Sequence, residues 1–338
     1  MRIGVDGMGG DHAPGVVISG VVQAAREYNL DVVIVGPEDA LQKELARHKS
    51  PPKNIQIVHA SEVIGMDEMP VVSVRKKRDS SINVLVNLAK EGKVDAIFSA
   101  GNTGAMVCAA TLGLRLLEGV ERPGIAIIFR GLEGTAMIAD VGANIVPKPK
   151  HLLQYAIMCY TYSRYILHKE NPTIALLNVG EEETKGTEFV KEAHQLLSAS
   201  KLNFIGNIEG RHIFDAKIDV IICDGFIGNA VLKVSEGIAE AFATLLRREM
   251  NKNIFRRAAG LLCLPAFKAL KKDLDYSEYG GAPLLGVDGI CIIGHGRSNA
   301  KAIKNAIRVS NEFAKNQVNQ HIVEAIRIFD QTLPNGQR

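Results

Sequence analysis

Residues 1–36 read MRIGVDGMGGDHAPGVVISGVVQAAREYNLDVVIVG: a short β-branched run, a glycine-rich turn, an amphipathic stretch and a second β-branched run. Apolar residues in RIGV and DVVIVG are almost continuous, as in strands buried on both faces, whereas PGVVISGVVQAAREY repeats them at helical spacing. Strand, helix, strand in that order is the building unit of a parallel sheet. The alternation continues outward. NIQIVHA, DAIFSAG, GIAIIF, TAMIADVG, TIALLNVG, NFIGNI and DVIICDG read as strands, with EDALQKELARH, SINVLVNLAKEG, HLLQYAIMCYTYSRYIL and TEFVKEAHQLLSA as helices among them. The expectation is a three-layer α/β/α fold around a mostly parallel sheet. GIAIIF-RGLEG-TAMIADVG reads as a hairpin, two strands flanking a short turn with glycine.

The final third changes character, with long helical stretches at 226–272 and 298–330. No Ser/Gly/Pro linker divides the chain. Residues 1–330 are therefore read as a single domain with room for two lobes, from which residues 247–275 protrude as an amphipathic helical hairpin broken at Pro265.

Composition excludes several classes. A net charge of +3 over 338 residues is too small to argue for nucleic acid, and with no tryptophan the chain is poorly supplied with stacking platforms. The five cysteines are scattered in apolar runs and never form CxxC, as expected of buried thiols in a reducing compartment. No signal peptide opens the chain, and no apolar run approaches the ~20 residues of a membrane-spanning helix. The cytoplasm is the expected compartment.

Ligands of open α/β sheets bind beyond the carboxyl ends of the strands. Here those positions carry DGMGGDHAPG (6–15), SAGNTGA (99–105), DVGAN (140–144), NVGEEETKG (178–186), CDGFIGNAVLK (223–233) and GHGRSN (294–299). Together they suggest a shared polar rim. Asp6, Gly9, Gly10, Asp11, Gly101, Asn102, Thr103, Asn144, Gly225, Asn229, His295 and Arg297 are its candidates for binding phosphate or other oxygens. Unpaired amides at the helix starts after Gly101 and Gly225 suit an anion. A dinucleotide is not supported, because His12 stands where G-x-G-x-x-G needs its third glycine and no acid is placed for a ribose. There is no P-loop either.

Among groups that carry chemistry, Lys185 follows a strand and could steady an oxyanion or hold phosphate as a point charge. Glu181, Glu182 and Glu183 beside it raise magnesium as an alternative, but no histidine or aspartate accompanies them at helical spacing. Asp6, Asp11 and His12 suit acid–base work or helix capping, and His295 with Arg297 forms a possible anion grip. No GxSxG or cysteine nucleophile stands out, so direct attack by a bound oxyanion fits better than covalent catalysis. Two basic stretches remain. Arg75, Lys76, Lys77 and Arg78 form an exposed face or a dock for an acidic partner. Arg247, Arg248, Arg256 and Arg257 surround an apolar hairpin tip with Leu261, Leu262, Leu264 and Phe267, which suits a membrane interface or a partner surface.

Taken in order, DGMGGDHAP, SAGNTGA, DVGAN, NVGEEETKG, DGFIGNAVLK, YGGAPLLGVDG and HGRS resemble the bacterial phosphate acyltransferase family of phospholipid synthesis, from about residue 1 to residue 325. The resemblance implies a fold similar to isocitrate and isopropylmalate dehydrogenases and to phosphotransacetylase, without the nicotinamide or any other cofactor or metal. It implies transfer of a long fatty acyl chain from acyl carrier protein to inorganic phosphate, the acyl phosphate then serving a membrane glycerol-3-phosphate acyltransferase. It also implies a homodimer peripherally associated with an anionic membrane surface. Lys185 matches the family's lysine, and with Asp224 and His12 is expected to be catalytic. Asn102, Thr103 and Asn229 match further family turns, and the basic stretches would receive the acidic carrier protein. Asp288 and Asn299 depart from the family pattern, where Asn and Ser are usual. The rival readings are a phosphotransacetylase acting on short-chain acyl-CoA and a non-catalytic membrane scaffold that binds acyl carrier protein.

Overall fold

The computed structural model describes residues 1–132, 134–215, 218–267 and 278–332. The strands are β1 Arg2–Asp6, β2 Asp31–Gly36, β3 Ile55–His59, β4 Ala96–Ser99, β5 Gly124–Arg130, β6 Thr135–Ala139, β7 Ile174–Leu177, β8 Phe204–Ile208, β9 Val220–Ile222, β10 Ala282–Leu285 and β11 Cys291–Ile293. They form one eleven-stranded sheet in the order β3-β2-β1-β4-β11-β10-β5-β6-β9-β7-β8. Every strand named in the sequence is present, and β5 and β6 pair antiparallel as the expected hairpin. The last third was misread in one respect, for β10 and β11 lie there, at the middle of the sheet. APLL and CII are too short to display a period, and Pro283 argues against a central strand. Their conformation comes from the neighbours on each side, β4 and β5.

Strand direction divides the sheet. β3, β2, β1, β4 and β11 run parallel to one another. β10 is antiparallel to both β11 and β5, β5 is antiparallel to β6, and β6, β9, β7 and β8 are again mutually parallel. The two parallel halves therefore point in opposite directions.

Helices cover both faces. α1 (Gly15–Tyr28) and α10 (Ala300–Lys315) close one face of the first half, on Ile3, Val5, Ile34, Phe98 and Ile292. α6 (Pro149–Tyr165), α7 (Glu188–Ala199) and α11 (Val318–Thr332) close the same role in the second half, with Tyr155, Tyr162 and Phe313 fully buried. The other face carries α3 (Pro70–Lys76), α4 (Ser81–Lys90) and α5 (Thr103–Gly113), while α2 (Glu38–Leu45) stands beside β3. Each fully buried Leu, Ile or Phe contributes roughly 1.5–3 kcal/mol, so these layers hold the sheet rigid behind its loops.

α8 (Gly225–Met250) is different. Asp224 caps it by accepting from the Phe226 and Ile227 amides at 2.9 Å, yet only Gly225 and Gly228 of its 26 residues are buried. Its outer turns leave the sheet, exposing Val234, Ile238, Phe242 and Leu245, and α9 (Ile254–Leu262) folds back on them with Gly260 against Met250. The expected protrusion is thus present as far as residue 267, but it turns first at Asn251–Asn253, where the Asn253 side chain caps α9. Residues 268–275 of the expected hairpin lie outside the described residues. Arg247, Arg248, Arg256 and Arg257 are exposed on this arm, Arg256 paired with Glu249 at 2.7 Å. Leu261, Leu262 and Leu264 are exposed and Phe267 is half-buried. Among the described residues no helix is long and apolar enough to cross a membrane. Cys159, Cys223 and Cys291 are buried as expected, but Cys108 is half-buried on α5 and Cys263, just past the end of α9, is exposed.

Candidate active site

Because the two halves of the sheet run in opposite directions, the glycine turns do not share one rim. Those after β1, β4 and β11 leave one edge, and those after β6, β7 and β9 leave the other. Five of the six nevertheless line one cleft of about 570 Å³. The central strands explain this: at three or four residues and ~3.3 Å per residue, β11 and β10 separate the edges by only about 10–13 Å. α8 starts at the second edge and runs across the sheet face to the first, roofing the cleft.

The turn after β6 is built around Asp140. Its buried carboxylate accepts from the amides of Ile125 (3.0 Å), Gly142 (3.2 Å), Ala143 (3.0 Å) and Asn144 (2.7 Å). Burial pushes this carboxyl above its ordinary range, and the four amides pull against that rise. α8 is seated directly on the turn. A Cβ on Gly228 would stand 1.9 Å from the Asp140 carbonyl oxygen, so only glycine permits the approach. On the opposite edge Asp6 has the corresponding place, accepting from the Ser99 hydroxyl at 2.7 Å and from the Met8 amide at 3.1 Å. Burial raises its pKa also. Gly9 lies against the Gly101 amide, where an added Cβ would come within 2.8 Å, locking the turns after β1 and β4 together.

The polar wall of the cleft comes from α8 and the turn after β11. Asn229, Lys233, Glu236 and Glu240 follow one another at helical spacing on a single stripe. Lys233 Nζ lies 3.0 Å from Glu236 Oε2 and 3.5 Å from His295 Nε2, and His295 Nε2 is 3.7 Å from Glu236 Oε1. His295 Nδ1 accepts from the Arg297 amide at 3.2 Å, which turns Nε2 toward Lys233 and Glu236. Arg297 pairs with Glu240 at 2.7 Å. Thr103 and Gly104, the first residues of α5, complete this end. Amides of a first helical turn have no intrahelical partner, so those of Thr103 and Gly104 add donors to the Lys233 and Arg297 groups, whose charges are matched here by Glu236 and Glu240. Across the cleft the lining is apolar: Ile125, Ile127, Phe129, Val141 and Ile145. One wall can thus hold an anion and donate a proton, and the other can take hydrocarbon.

Of the residues expected from the sequence, Asp11, Thr103, Gly225, Asn229, His295 and Arg297 line this cleft. Gly9, Gly10 and Gly101 stand behind it as backbone packing, with the Asp11 amide donating to the Gly296 carbonyl at 2.8 Å. Others are engaged differently. Asn102 caps α5 through the Ala105 amide and donates to the carbonyls of Gly65, Met66 and Glu68, so both N–H donors of its side chain are spent strapping a loop. Asn144 donates to the Pro123 carbonyl and the Tyr155 hydroxyl. Asp6 supports turns from within the core, and Asp224 caps α8. His12 is exposed and outside the lining, and so is Lys185. The lysine rides on the second edge, one strand beyond β9, in a loop held by Asn178 donating to its carbonyl at 3.1 Å. Lys77 is bound to Glu68 and the Val63 carbonyl, leaving Arg75, Lys76 and Arg78 as the exposed cations of that stretch. Asn299, one of the two departures, caps α10 through the Ala302 amide, a role serine fills equally well.

Lys233, Glu236 and Glu240 escaped the sequence reading as site residues. Their signal was present in the four-, three- and four-residue steps from Asn229. Without knowing that α8 crosses the sheet face, that stripe reads as the solvated side of a long helix. Burial pushes the thiols of Cys159, Cys223 and Cys291 up, which keeps them protonated and out of nucleophilic chemistry.

Residues 1–321 match the family described as fatty acid synthesis protein. A protein of Geotalea daltonii named phosphate acyltransferase is 47% identical over 327 residues, covering 97% of this chain and 94% of its own. A phosphate acyltransferase of Heliobacterium modesticaldum is 48% identical, with 97% of each chain covered. Among solved structures, a phosphotransacetylase from Streptococcus pyogenes superposes with a TM-score of 0.57 at 16% identity, over 97% of this chain and 94% of that one. That likeness is one of fold.

Proposed function

We propose, from the premise that this chain belongs to the bacterial phosphate acyltransferases of the fatty acid synthesis protein family, that it transfers a long fatty acyl group from acyl carrier protein to inorganic phosphate. The observation that carries the reading is a single cleft in which a polar wall bearing Lys233, His295 and Arg297 faces an apolar one. Phosphate is held at Lys233, Arg297 and the first amides of α5, where an incoming dianion draws the cations from Glu236 and Glu240. One of its oxygens attacks the thioester carbonyl carbon. As the tetrahedral adduct collapses the C–S bond breaks, an acyl phosphate forms, and the proton carried by the attacking hydrogen phosphate passes to the departing thiolate beside His295. Binding and alignment of two anionic partners supply much of the acceleration.

The finer parts follow the family. The acidic carrier protein docks on exposed Arg75, Lys76 and Arg78, beside the bare apolar surface of Met69, Val71 and Val72. Pro70 packs on Gly104, which places this surface at the mouth of the cleft. The exposed apolar and cationic arm of α8 and α9 serves a homodimer contact and peripheral attachment to an anionic membrane. There the labile product passes to a membrane glycerol-3-phosphate acyltransferase for phospholipid synthesis.

The test is to mix the protein with palmitoyl-acyl carrier protein and phosphate and trap acyl phosphate with hydroxylamine. The expected result is product that depends on phosphate. One rival reading is a phosphotransacetylase acting on short-chain acyl-CoA. Consumption of acetyl-CoA with no reaction of the palmitoyl carrier would select it. No turnover of either donor would favour a binding scaffold.

A further inference from the structure

Among the described residues the charged lining of the cleft is balanced: Lys233 and Arg297 stand against Asp11 and Glu236. Arg297 is matched again by Glu240, at 2.7 Å, from outside the lining. A wall of this composition does not gather anions by its net field. It selects among them by the hydrogen bonds that it can complete and by those that it leaves unmade.

Glu236 stands at the centre of the wall. Its Oε2 accepts from Lys233 Nζ at 3.0 Å, and its Oε1 lies 3.7 Å from His295 Nε2, which is 3.5 Å from the same Nζ. Lys233 carries three donors on a flexible stem, so it can turn toward an anion without leaving the cleft. An oxygen bound to that Nζ at about 3 Å lies within about 6 Å of Glu236 Oε2, which brings the other oxygens of a tetrahedral anion up to the carboxylate. Glu236 is an acceptor only. Against an anion whose oxygens are all bare, acceptor faces acceptor and the two repel. A hydroxyl on the anion removes the conflict, because it donates to Glu236 while Lys233 and the amides of Thr103 and Gly104 donate to the bare oxygens. Near neutral pH inorganic phosphate keeps at least one P–OH. Sulfate has the same shape and the charge of hydrogen phosphate, but no hydroxyl.

We propose that Glu236 is the specificity-determining residue by which this site selects a protonated tetrahedral oxyanion, accepting from the P–OH of phosphate and turning sulfate away. The proposal rests on the reading of the cleft as a phosphate site and adds what distinguishes phosphate there. A site built to bond a ligand hydroxyl strongly rejects the analogue that lacks it, since its polar group is then left without a partner.

The experiment uses the full chain with palmitoyl carrier protein and measures the KM for phosphate and the inhibition constants of sulfate and arsenate. It compares the unaltered protein with Glu236→Gln and Glu240→Gln. Calorimetric titration with phosphate and sulfate gives the same ratio where turnover is slow. The unaltered protein is expected to bind sulfate about 100-fold or more weakly than phosphate, and arsenate, which keeps an As–OH, within about tenfold of phosphate. In Glu236→Gln the amide can donate to either anion, and discrimination against sulfate should fall by about tenfold or more. Glu240→Gln removes the same charge but no acceptor from the cleft lining, so both constants should move together and keep their ratio. Sulfate that competes as well as phosphate in the unaltered protein overturns the proposal. So does a Glu236→Gln protein that keeps the ratio or loses both anions alike, and so does an equal change of the ratio in Glu240→Gln, which would make charge alone the cause. Absence of acyl phosphate from every donor with the unaltered enzyme would instead overturn the underlying reading.

Discussion

The turns NVGEEETKG and GHGRSN look alike in sequence: each leaves a strand, combines glycine with a cation and opens a helix. They do different things in the fold. Residues 178–186 follow β7, next to the last strand of the sheet, and stay exposed, held by Asn178, by Asn207 donating to the Glu182 carbonyl, and by Glu181 near His212. Residues 294–299 follow β11, near the middle, and face the polar stripe of α8, where His295 and Arg297 find Lys233, Glu236 and Glu240. A glycine turn becomes a site only when another element stands opposite it. Here that element is a helix that begins on one edge of the sheet and crosses to the other.

The largest expected difference between the two turns is in rate. His295→Ala should lower kcat/KM by about 10²–10³-fold with little change in thermal midpoint, and Lys233→Ala should fall in the same range. Steady-state kinetics with palmitoyl carrier protein and phosphate, beside a melting curve, checks both. The comparison breaks if either variant keeps more than a tenth of the activity.

Next comes the seat of the crossing helix. Gly228→Ala drives a methyl into the Asp140 carbonyl, and backbone on both sides leaves little room to yield. A loss of about 3 kcal/mol in urea unfolding is expected, together with a rise in KM as α8 shifts off the cleft. Gly237→Ala, on the same helix with open space around it, serves as the control and should be neutral or slightly stabilising.

Smaller again is Lys185→Ala, with an expected loss of less than tenfold and an unchanged KM for phosphate. The family resemblance assigns this lysine a catalytic part, so the measurement is discriminating. A loss matching that of His295→Ala would mean that the 178–186 loop reaches the cleft of the working enzyme, and the contrast between the two turns would have to be withdrawn.

Most of the layered fold was legible because nine of its strands are apolar runs bounded by turn residues, and β-branched continuity survives without tertiary context. β10 and β11 were not legible, since three or four residues carry no period and their outer pairing partners, β5 and β4, are about 150–200 residues away in sequence. The site followed the same division. Glycines, Thr103, Asn229, His295 and Arg297 announced themselves by standing after strands. Lys233, Glu236 and Glu240 did not, because their role depends on the path of α8, and the saturation of Asn102 depends on three carbonyls from the 65–68 loop. Asn, Asp and Gly after a strand signal a turn that must be built. The same letters serve whether the turn then binds a ligand or only supports one that does.

That last distinction can be read from pH. Asp6 supports the cleft turns from inside, and burial raises its pKa above 3.8; Glu68, strapping the 65–68 loop, is pulled down to about 2 by Lys77, the Gly65 amide and Ser73. The signs are opposite. Asp6 binds its proton more tightly when folded, so its contribution is complete below about pH 3.8 and is lost as pH rises through the raised value. Glu68 contributes above about pH 4.5, and that contribution is lost as pH falls toward 2. Asp6→Asn should therefore gain on the unaltered protein as pH rises from 4 toward neutrality, because the amide oxygen still accepts from Met8 while no buried charge has to form. Glu68→Gln should lose stability at neutral pH and show a shallower acid limb. Urea midpoints taken across this range separate the two, and a parallel response of both variants would mean that Asp6 ionises freely and the turns it supports are less enclosed than their packing implies.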